Sequence, residues 1–454
     1  MVRPRGSALE LAAQIRAGEL SALEAVETAI DRAEAENPRL NFLVTECYAR
    51  AVERARGLLE GPFAGVPMLV KDLTETAGVR TTFSSRAFAG YVPPHSAAVV
   101  RRMEGAGFVV IGKSNTPEFG ITCVTESELN GACRNPFDLE RTPGGSSGGA
   151  AAAVAAGVLQ LAHGSDGGGS LRIPASCCGL FSIKPSRGRV SAAPYGSGSL
   201  ELGQSGSLAK TVRDAAAFLD VVAGYEPGDA HWAPLPERPF LDECEIAPGR
   251  LRIALATQPP LDYPVDPRVA QVARDAAGAL AALGHEVVEA TPPWQDDTLL
   301  DVFAFLWQLT PALYPVQDES LLTPLNRWLA ERARGTSSVD YARAVAHLGA
   351  LARRVVSFWS DIDVVLTPGL GKLPVPIGWV FDTDDMWEQF ERGAEFTPFT
   401  PVVNVTGQPA AMFPFGEVDG LPVGVQLIGP PAGEAMLFRL SAQLEEAQSS
   451  SPSM

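Results

Sequence analysis

Ser146 and Ser147 stand within the glycine-rich run Gly144 to Gly149, and Ser170 closes a second one, Asp166-Gly167-Gly168-Gly169-Ser170. Glycine permits positive φ and lets another chain or a ligand come into contact with the main chain. A serine held in such a loop can meet a substrate with backbone N–H groups beside it, which is what acyl transfer requires. Its hydroxyl is a poor nucleophile until a base takes the proton. Histidine usually does so within a G-x-S-x-G elbow, and Ser170 lies outside that pattern. A lysine serves instead where burial keeps it neutral. Lys71 ends the apolar run that begins at Gly65 and is the candidate base. The same position also suits a lysine facing water, and the residues alone leave both open. Cys177 and Cys178 offer a thiol in place of the hydroxyl, but no activating partner accompanies them in sequence.

These groups need elements to hold them. Ser7 with Glu10 and Ser21 with Glu24 have the spacing of capping boxes, so the chain is expected to open with two helices separated by a stop at Gly18. A third helix is expected from Glu46 to Leu59. The apolar runs Gly65 to Asp72 and Phe108 to Lys113 predict buried strands, the first carrying Lys71 and Asp72 at its tip, with an amphipathic helix near Ala97 to Gly105 between them. Small apolar residues from Ala150 to Leu161 predict a buried helix after the first serine loop. Further strands are expected at Leu251 to Ala256, Glu286 to Ala290, Val364 to Thr367 and Val423 to Ile428. Helices at Asp266 to Leu283 and Tyr341 to Ser357 intervene. Such alternation implies an α/β fold with helices on both faces of a sheet. Residues 224 to 249, rich in proline and acid, suit a surface connection. The aromatics between 297 and 395 (Phe303, Phe305, Trp307, Trp359, Trp379, Phe381 and Trp387) fill a core or shape a pocket.

Composition narrows the partners. The chain has 454 residues and a net charge of −17, and it shows no concentrated basic face, which argues against nucleic acid and against an anionic membrane surface. No apolar run has the length of a membrane span. Met1 leads directly into charged helical sequence without a secretory h-region, so the protein is expected to be cytoplasmic. The cysteines at 47, 123, 133, 177, 178 and 244 form no C-x-x-C pairs and are expected to be buried, reduced thiols. The histidines form no H-E-x-x-H, and no metal is expected.

In order along most of its length, the chain resembles the amidase signature family of serine hydrolases. The resemblance rests on Val70 to Asp72 with Gly78 to Thr82, Gly112 to Asn115 with Glu118 to Gly120, and Arg134 to Asp138. It continues through Arg141 to Gly149, Asp166 to Pro174, Thr406 to Ala410 and Gly420 to Gly429. It implies a central mixed twisted β-sheet covered by helices on both faces, as one domain over residues 1–447. Within it, 1–60 would be a helical N-terminal segment, about 61–220 the signature core, about 297–395 a variable pocket region, and 448–454 a disordered tail.

The resemblance further implies a triad of Ser170 as nucleophile, Ser146 as bridging serine after a cis Gly145–Ser146 peptide, and Lys71 as base. The N–H groups of Gly167, Gly168, Gly169 and Ser170 would form the oxyanion hole. Ser147 would hydrogen-bond within the site, and Asp166 and Arg172 would pair to brace the loop. No cofactor is implied. Gly167 stands where threonine or isoleucine is frequent, Ser165 where threonine is usual and His95 where aspartate is frequent; the extra glycine is expected to make the loop smaller and more permissive. The function implied is hydrolysis of carboxamides, with aryl amides, linear amides, esters and carbamates as candidate substrates and a homodimer as a possible assembly. The glutaminase subunit of a tRNA-dependent amidotransferase is the alternative, and a catalytically dead binding relative is disfavoured because Lys71, Ser146 and Ser170 are all present.

Overall fold

The structure, a computed structural model, describes residues 6–196 and 202–450. Both capping boxes form: Ser7 opens the helix Ala8–Ala17 and Ser21 the helix Ala22–Leu40, with Gly18 in the left-handed conformation between them. The strands in chain order are β1 (Leu43–Glu46), β2 (Pro67–Lys71), β3 (Val109–Ser114), β4 (Leu161–Asp166), β5 (Phe181–Lys184) and β6 (Gln204–Ala209). They continue with β7 (Arg252–Leu255), β8 (Glu286–Glu289), β9 (Val364–Pro368), β10 (Ala410–Val418) and β11 (Leu421–Ile428).

An eight-stranded sheet runs in the order β4-β6-β5-β10-β11-β9-β7-β8. It is mixed: β7 is parallel to β8 and β9, while β10 is antiparallel to β5 and β11. Side chains on a strand alternate between faces, and the core obeys this. Ile253, Leu255, Val364, Leu366, Ala411, Phe413, Val425 and Leu427 enter one apolar cluster, shared with the helices Val212–Val222, Pro267–Ala282 and Glu434–Ser450. Their neighbours Ala254, Val365, Ala410 and Ile428 enter another cluster on the opposite face, with residues of the helices Leu299–Trp307, Ser338–Val356 and Pro401–Thr406. Ala162, Leu208 and Met412 share a further cluster with the helices Gly148–Ala155 and Arg172–Cys178.

Several boundaries depart from expectation. Lys71 lies outside the large sheet, on β2 of a three-stranded sheet ordered β1-β3-β2. The third helix is confined to Tyr48–Arg56, because Leu43–Glu46 pairs with β3 instead. The run from Ala150 splits: its helix ends at Ala155, Gly157 turns the chain at φ 82°, and Leu161 opens β4. An all-apolar run has no periodicity to mark that break. Gln448 to Ser450, expected in a disordered tail, finish the last helix, and 451–454 lie outside the described residues. No helix among the described residues is long and apolar enough to cross a membrane.

Candidate active site

β2 delivers Lys71 to a fully buried position, which removes the alternative of a lysine facing water. Its backbone N–H donates to His163 Nδ1 on β4 at 3.3 Å, so a side chain spans the seam between the two sheets. The next residue is anchored too: Asp72 accepts from the Thr82 N–H and hydroxyl, while Lys113 Nζ donates to the Thr74 carbonyl and the Thr81 hydroxyl. These bonds tie the strand tip to the segment that follows it.

Lys71 Nζ donates to Ser146 Oγ at 2.7 Å and to Ser165 O and Oγ, each at 3.2 Å. Burial lowers its pKa to about 7, against the opposing pull of Asp166. The Gly145–Ser146 peptide is cis. Ser147 Oγ donates to Ser165 O and accepts from Ser165 N–H, pinning the start of one glycine loop to the end of β4.

Ser170 follows β4 and precedes the helix Arg172–Cys178. Asp166 and Arg172 brace this loop through a two-pronged contact, Nε to Oδ2 at 2.9 Å and Nη2 to Oδ1 at 3.0 Å, both side chains fully buried. Burial raises the Asp166 pKa, but the Arg172 charge and hydrogen bonds, with Lys184 and Asn404, outweigh it and hold the carboxyl well below the usual range. Arg172 spends its remaining donors on Gln426 Oε1, Thr400 O and Asn404 Oδ1.

The expected set of four oxyanion donors is narrowed by this brace. Gly169 N–H donates to Asp166 Oδ1 at 2.7 Å and is turned into the protein, whereas the N–H groups of Gly167, Gly168 and Ser170 make no hydrogen bond among the described residues. Gly169 has φ 132°, a conformation glycine tolerates and other residues resist. Ser170, 7% exposed, lies on the wall of an apolar cleft with Ile121, Leu299, Phe303, Trp307, Leu325 and Val402. Its hydroxyl makes no hydrogen bond within the described residues; Lys71 and Ser146 are joined directly, and Ser170 is the part left facing the cleft.

Three other expectations are resolved by packing. The space at Gly167 is not open, because Trp307 fills it, so the loop is no more permissive for its extra glycine. The aromatics serve both ends: Phe303 and Trp307 line the cleft and also join the core cluster on which Phe305 and Trp359 pack. Cys177 and Cys178 are buried thiols whose pKa burial pushes far up, unsuited to nucleophilic attack.

Ser165, Thr400, Asn404, Gln426 and Trp307 complete the site without having been assigned roles in it from sequence. Asn404, just ahead of the Thr406 to Ala410 block, Gln426, inside the Gly420 to Gly429 block, Trp307, among the aromatics of 297–395, and Ser165, where threonine is usual, each had a visible signal; Thr400 had none.

A buried lysine hydrogen-bonded to a serine thus stands beside a braced glycine–serine loop in a mixed α/β fold. The amidase family model matches residues 24–438, and the chain belongs to that family. It is thus a hydrolase acting on amide C–N bonds. Among its relatives, the 6-aminohexanoate-cyclic-dimer hydrolase of Paenarthrobacter ureafaciens is 39% identical, with 95% of this chain and 93% of that one covered. The solved structure of 6-aminohexanoate cyclic dimer hydrolase complexed with substrate superposes with TM-score 0.93 at 36% identity, covering 97% of each chain. A bacterial aryl acylamidase of the amidase signature enzymes superposes with TM-score 0.87 at 27% identity, covering 98% of this chain and 96% of that one.

Proposed function

We propose that the chain hydrolyses amides through an acyl-enzyme on Ser170, with Ser146 relaying protons to Lys71. The observation that carries this is the 2.7 Å hydrogen bond from Lys71 Nζ to Ser146 Oγ in a fully buried setting. A lysine brought to about 7 is partly neutral at neutral pH and can accept a proton. Neutral Lys71 takes the Ser146 proton, and Ser146 takes that of Ser170 as Ser170 Oγ attacks the carbonyl carbon. The C–O π pair moves onto oxygen, where the free N–H groups of Gly167, Gly168 and Ser170 are the available donors. Collapse expels the amine, which receives the proton back through Ser146. Water then attacks the acyl-enzyme along the same route and releases the acid.

The cleft beside Ser170 is walled by aliphatic and aromatic side chains, which favours substrates with apolar groups next to the scissile bond. Aryl amides, medium-chain linear amides and their ester or carbamate counterparts fit that chemistry; a carbamate presents the same carbonyl, and its carbamic acid product loses carbon dioxide. The same wall disfavours free glutamine and with it the amidotransferase-subunit alternative.

The test combines labelling and turnover. A fluorophosphonate should label the parent protein and fail to label Ser170→Ala, and anilides should be hydrolysed faster than glutamine. Persistent labelling of Ser170→Ala would remove Ser170 from the nucleophile role, and a preference for glutamine would restore the alternative.

A further inference from the structure

Beyond the cleft at Ser170 lies a second cavity, of about 1060 Å³ with its open mouth, and the two share Thr122, Leu325 and Gln389 in their walls. The first compartment is apolar. The second is lined by Glu118, Glu126, Glu128 and Asp384, and no lysine or arginine lines it.

Two acceptors in this wall are left over. Asn326 is 3% exposed, and its Nδ2 donates to Glu118 Oε2 at 2.7 Å and to Thr323 Oγ1 at 3.0 Å. Those bonds fix which way the amide faces, and Oδ1 is left buried with no partner among the described residues. Glu126 Oε2 accepts from Gly378 N–H at 3.0 Å, while its Oε1 is likewise buried and unpartnered. Glu118 is already satisfied by donors from Ser85, Thr323 and Asn326, and Glu128 is paired with Arg86. What remains buried is one carboxylate oxygen and one amide oxygen, both acceptors, and the exposed Asp384 adds a further carboxylate to the same wall. A buried acceptor without a donor is costly, and a ligand bearing several N–H groups and a positive charge would satisfy both.

We propose that this second cavity is a subsite for a primary ammonium, carried at the end of a linear chain whose amide carbonyl lies at Ser170. Glu126 supplies the countercharge, Asn326 Oδ1 a second acceptor, and Thr122, Leu325 and Gln389 flank the passage between the compartments. The substrate class is an amide with an apolar spacer and an ω-amino terminus. This rests on the amide-hydrolase reading above and adds a recognition element at the far end of the cleft. Burial raises the Glu126 pKa to about 7, partly offset by the Gly378 N–H, and a bound ammonium would draw it back toward the charged form.

The experiment separates binding from turnover. Ser170→Ala protein is titrated calorimetrically with two matched pairs. N-phenyl-6-aminohexanamide is compared with N-phenylheptanamide, and N-(6-aminohexyl)benzamide with N-heptylbenzamide, which places the ammonium on the acyl or the amine side. At least one ammonium compound should bind about 10- to 100-fold more tightly than its methyl-ended match, as a charge-assisted hydrogen bond implies. Adding Glu126→Gln, which keeps an acceptor for Gly378, should collapse that ratio toward one. Parity in both pairs overturns the subsite, as does a ratio that survives Glu126→Gln. Equal loss of both members of a pair would assign Glu126 to holding the backbone at Gly378 and also overturns it. The ratio in Ser170→Ala protein needs no change at Glu126, so it stands if the added Glu126→Gln fails to fold. Selective binding without turnover by the parent enzyme would sink the hydrolase reading alone, and turnover without selectivity would sink only the subsite.

Discussion

Trp307 packs against Gly167: a Cβ on that glycine would stand 3.0 Å from the indole Cη2, closer than side chains normally approach. The ring is held there by its Nε1–H, which donates to Ile121 O at 3.0 Å, and by stacking on Phe303 with centroids 5.2 Å apart. A residue of the Ser170 loop and one of the cleft wall are thereby interdependent, though 140 positions separate them in the chain.

Gly167→Thr should push the indole aside and reduce kcat/KM for anilides by about tenfold or more, the cost of overpacking a filled site. If the contact is the reason, the same change should cost clearly less in a Trp307→Ala background. A double-mutant cycle measures this, and additive losses would show that the two residues are not coupled.

Removing the proposed base is expected to be far more damaging. Lys71→Ala should lower kcat by about 10⁴-fold or more, on the scale of losing one member of a catalytic unit. Ser146→Ala should be similarly severe, and combining the two should add little, since the proposed mechanism puts both on one proton path. Single-turnover kinetics on an activated ester would show the defect in acylation.

The pH profile follows from the direction of the lysine shift. A base works deprotonated, and burial brings Lys71 down to about 7. Activity should therefore climb as pH rises through about 7 and level off above it. A profile of kcat/KM that peaks in the acid range would contradict a lysine base.

Asp166 makes the opposite prediction, about stability. Its folded pKa is depressed below the unfolded value of about 3.9, so its contribution is present above that value and is lost as pH falls through the folded one. Asp166→Asn leaves Arg172 buried without its countercharge and should cost about 3–5 kcal/mol. Thermal melts across the acid range should show the variant less stable near neutrality and less sensitive to acid than the parent.

Part of the fold and of the candidate site could be read from the chain because it is local. The capping boxes at Ser7 and Ser21 depend only on residues three positions apart, and the Asp166–Arg172 pair spans a single turn into a helix. The partners that complete Arg172 could not be read the same way. Thr400, Asn404 and Gln426 come from more than 220 positions further on, and nothing in their immediate neighbours reports where they meet. The end of the helix beginning at Gly148 was hidden for another reason: alanine, valine and leucine suit a buried helix and a buried strand alike.

The sequence by itself determined the order of the parts: an apolar strand ending in Lys71, a glycine-held Ser146, and a glycine loop ending in Ser170. Only the tertiary structure decided what each part can do. Whether Lys71 is a cation in water or a base near neutrality depends on how completely other elements exclude solvent around it, since the free energy of a charge is set by its surroundings. Whether Gly169 offers its N–H to a substrate depends on Asp166, three positions earlier, accepting it. Whether Gly167 leaves room depends on Trp307, and the acidic cavity beyond exists only where Glu126 and Asn326 are folded together. Apart from the Asp166–Gly169 bond, which spans three positions, these are long-range contacts, and such contacts are specified by packing of the whole chain rather than by any one stretch of it.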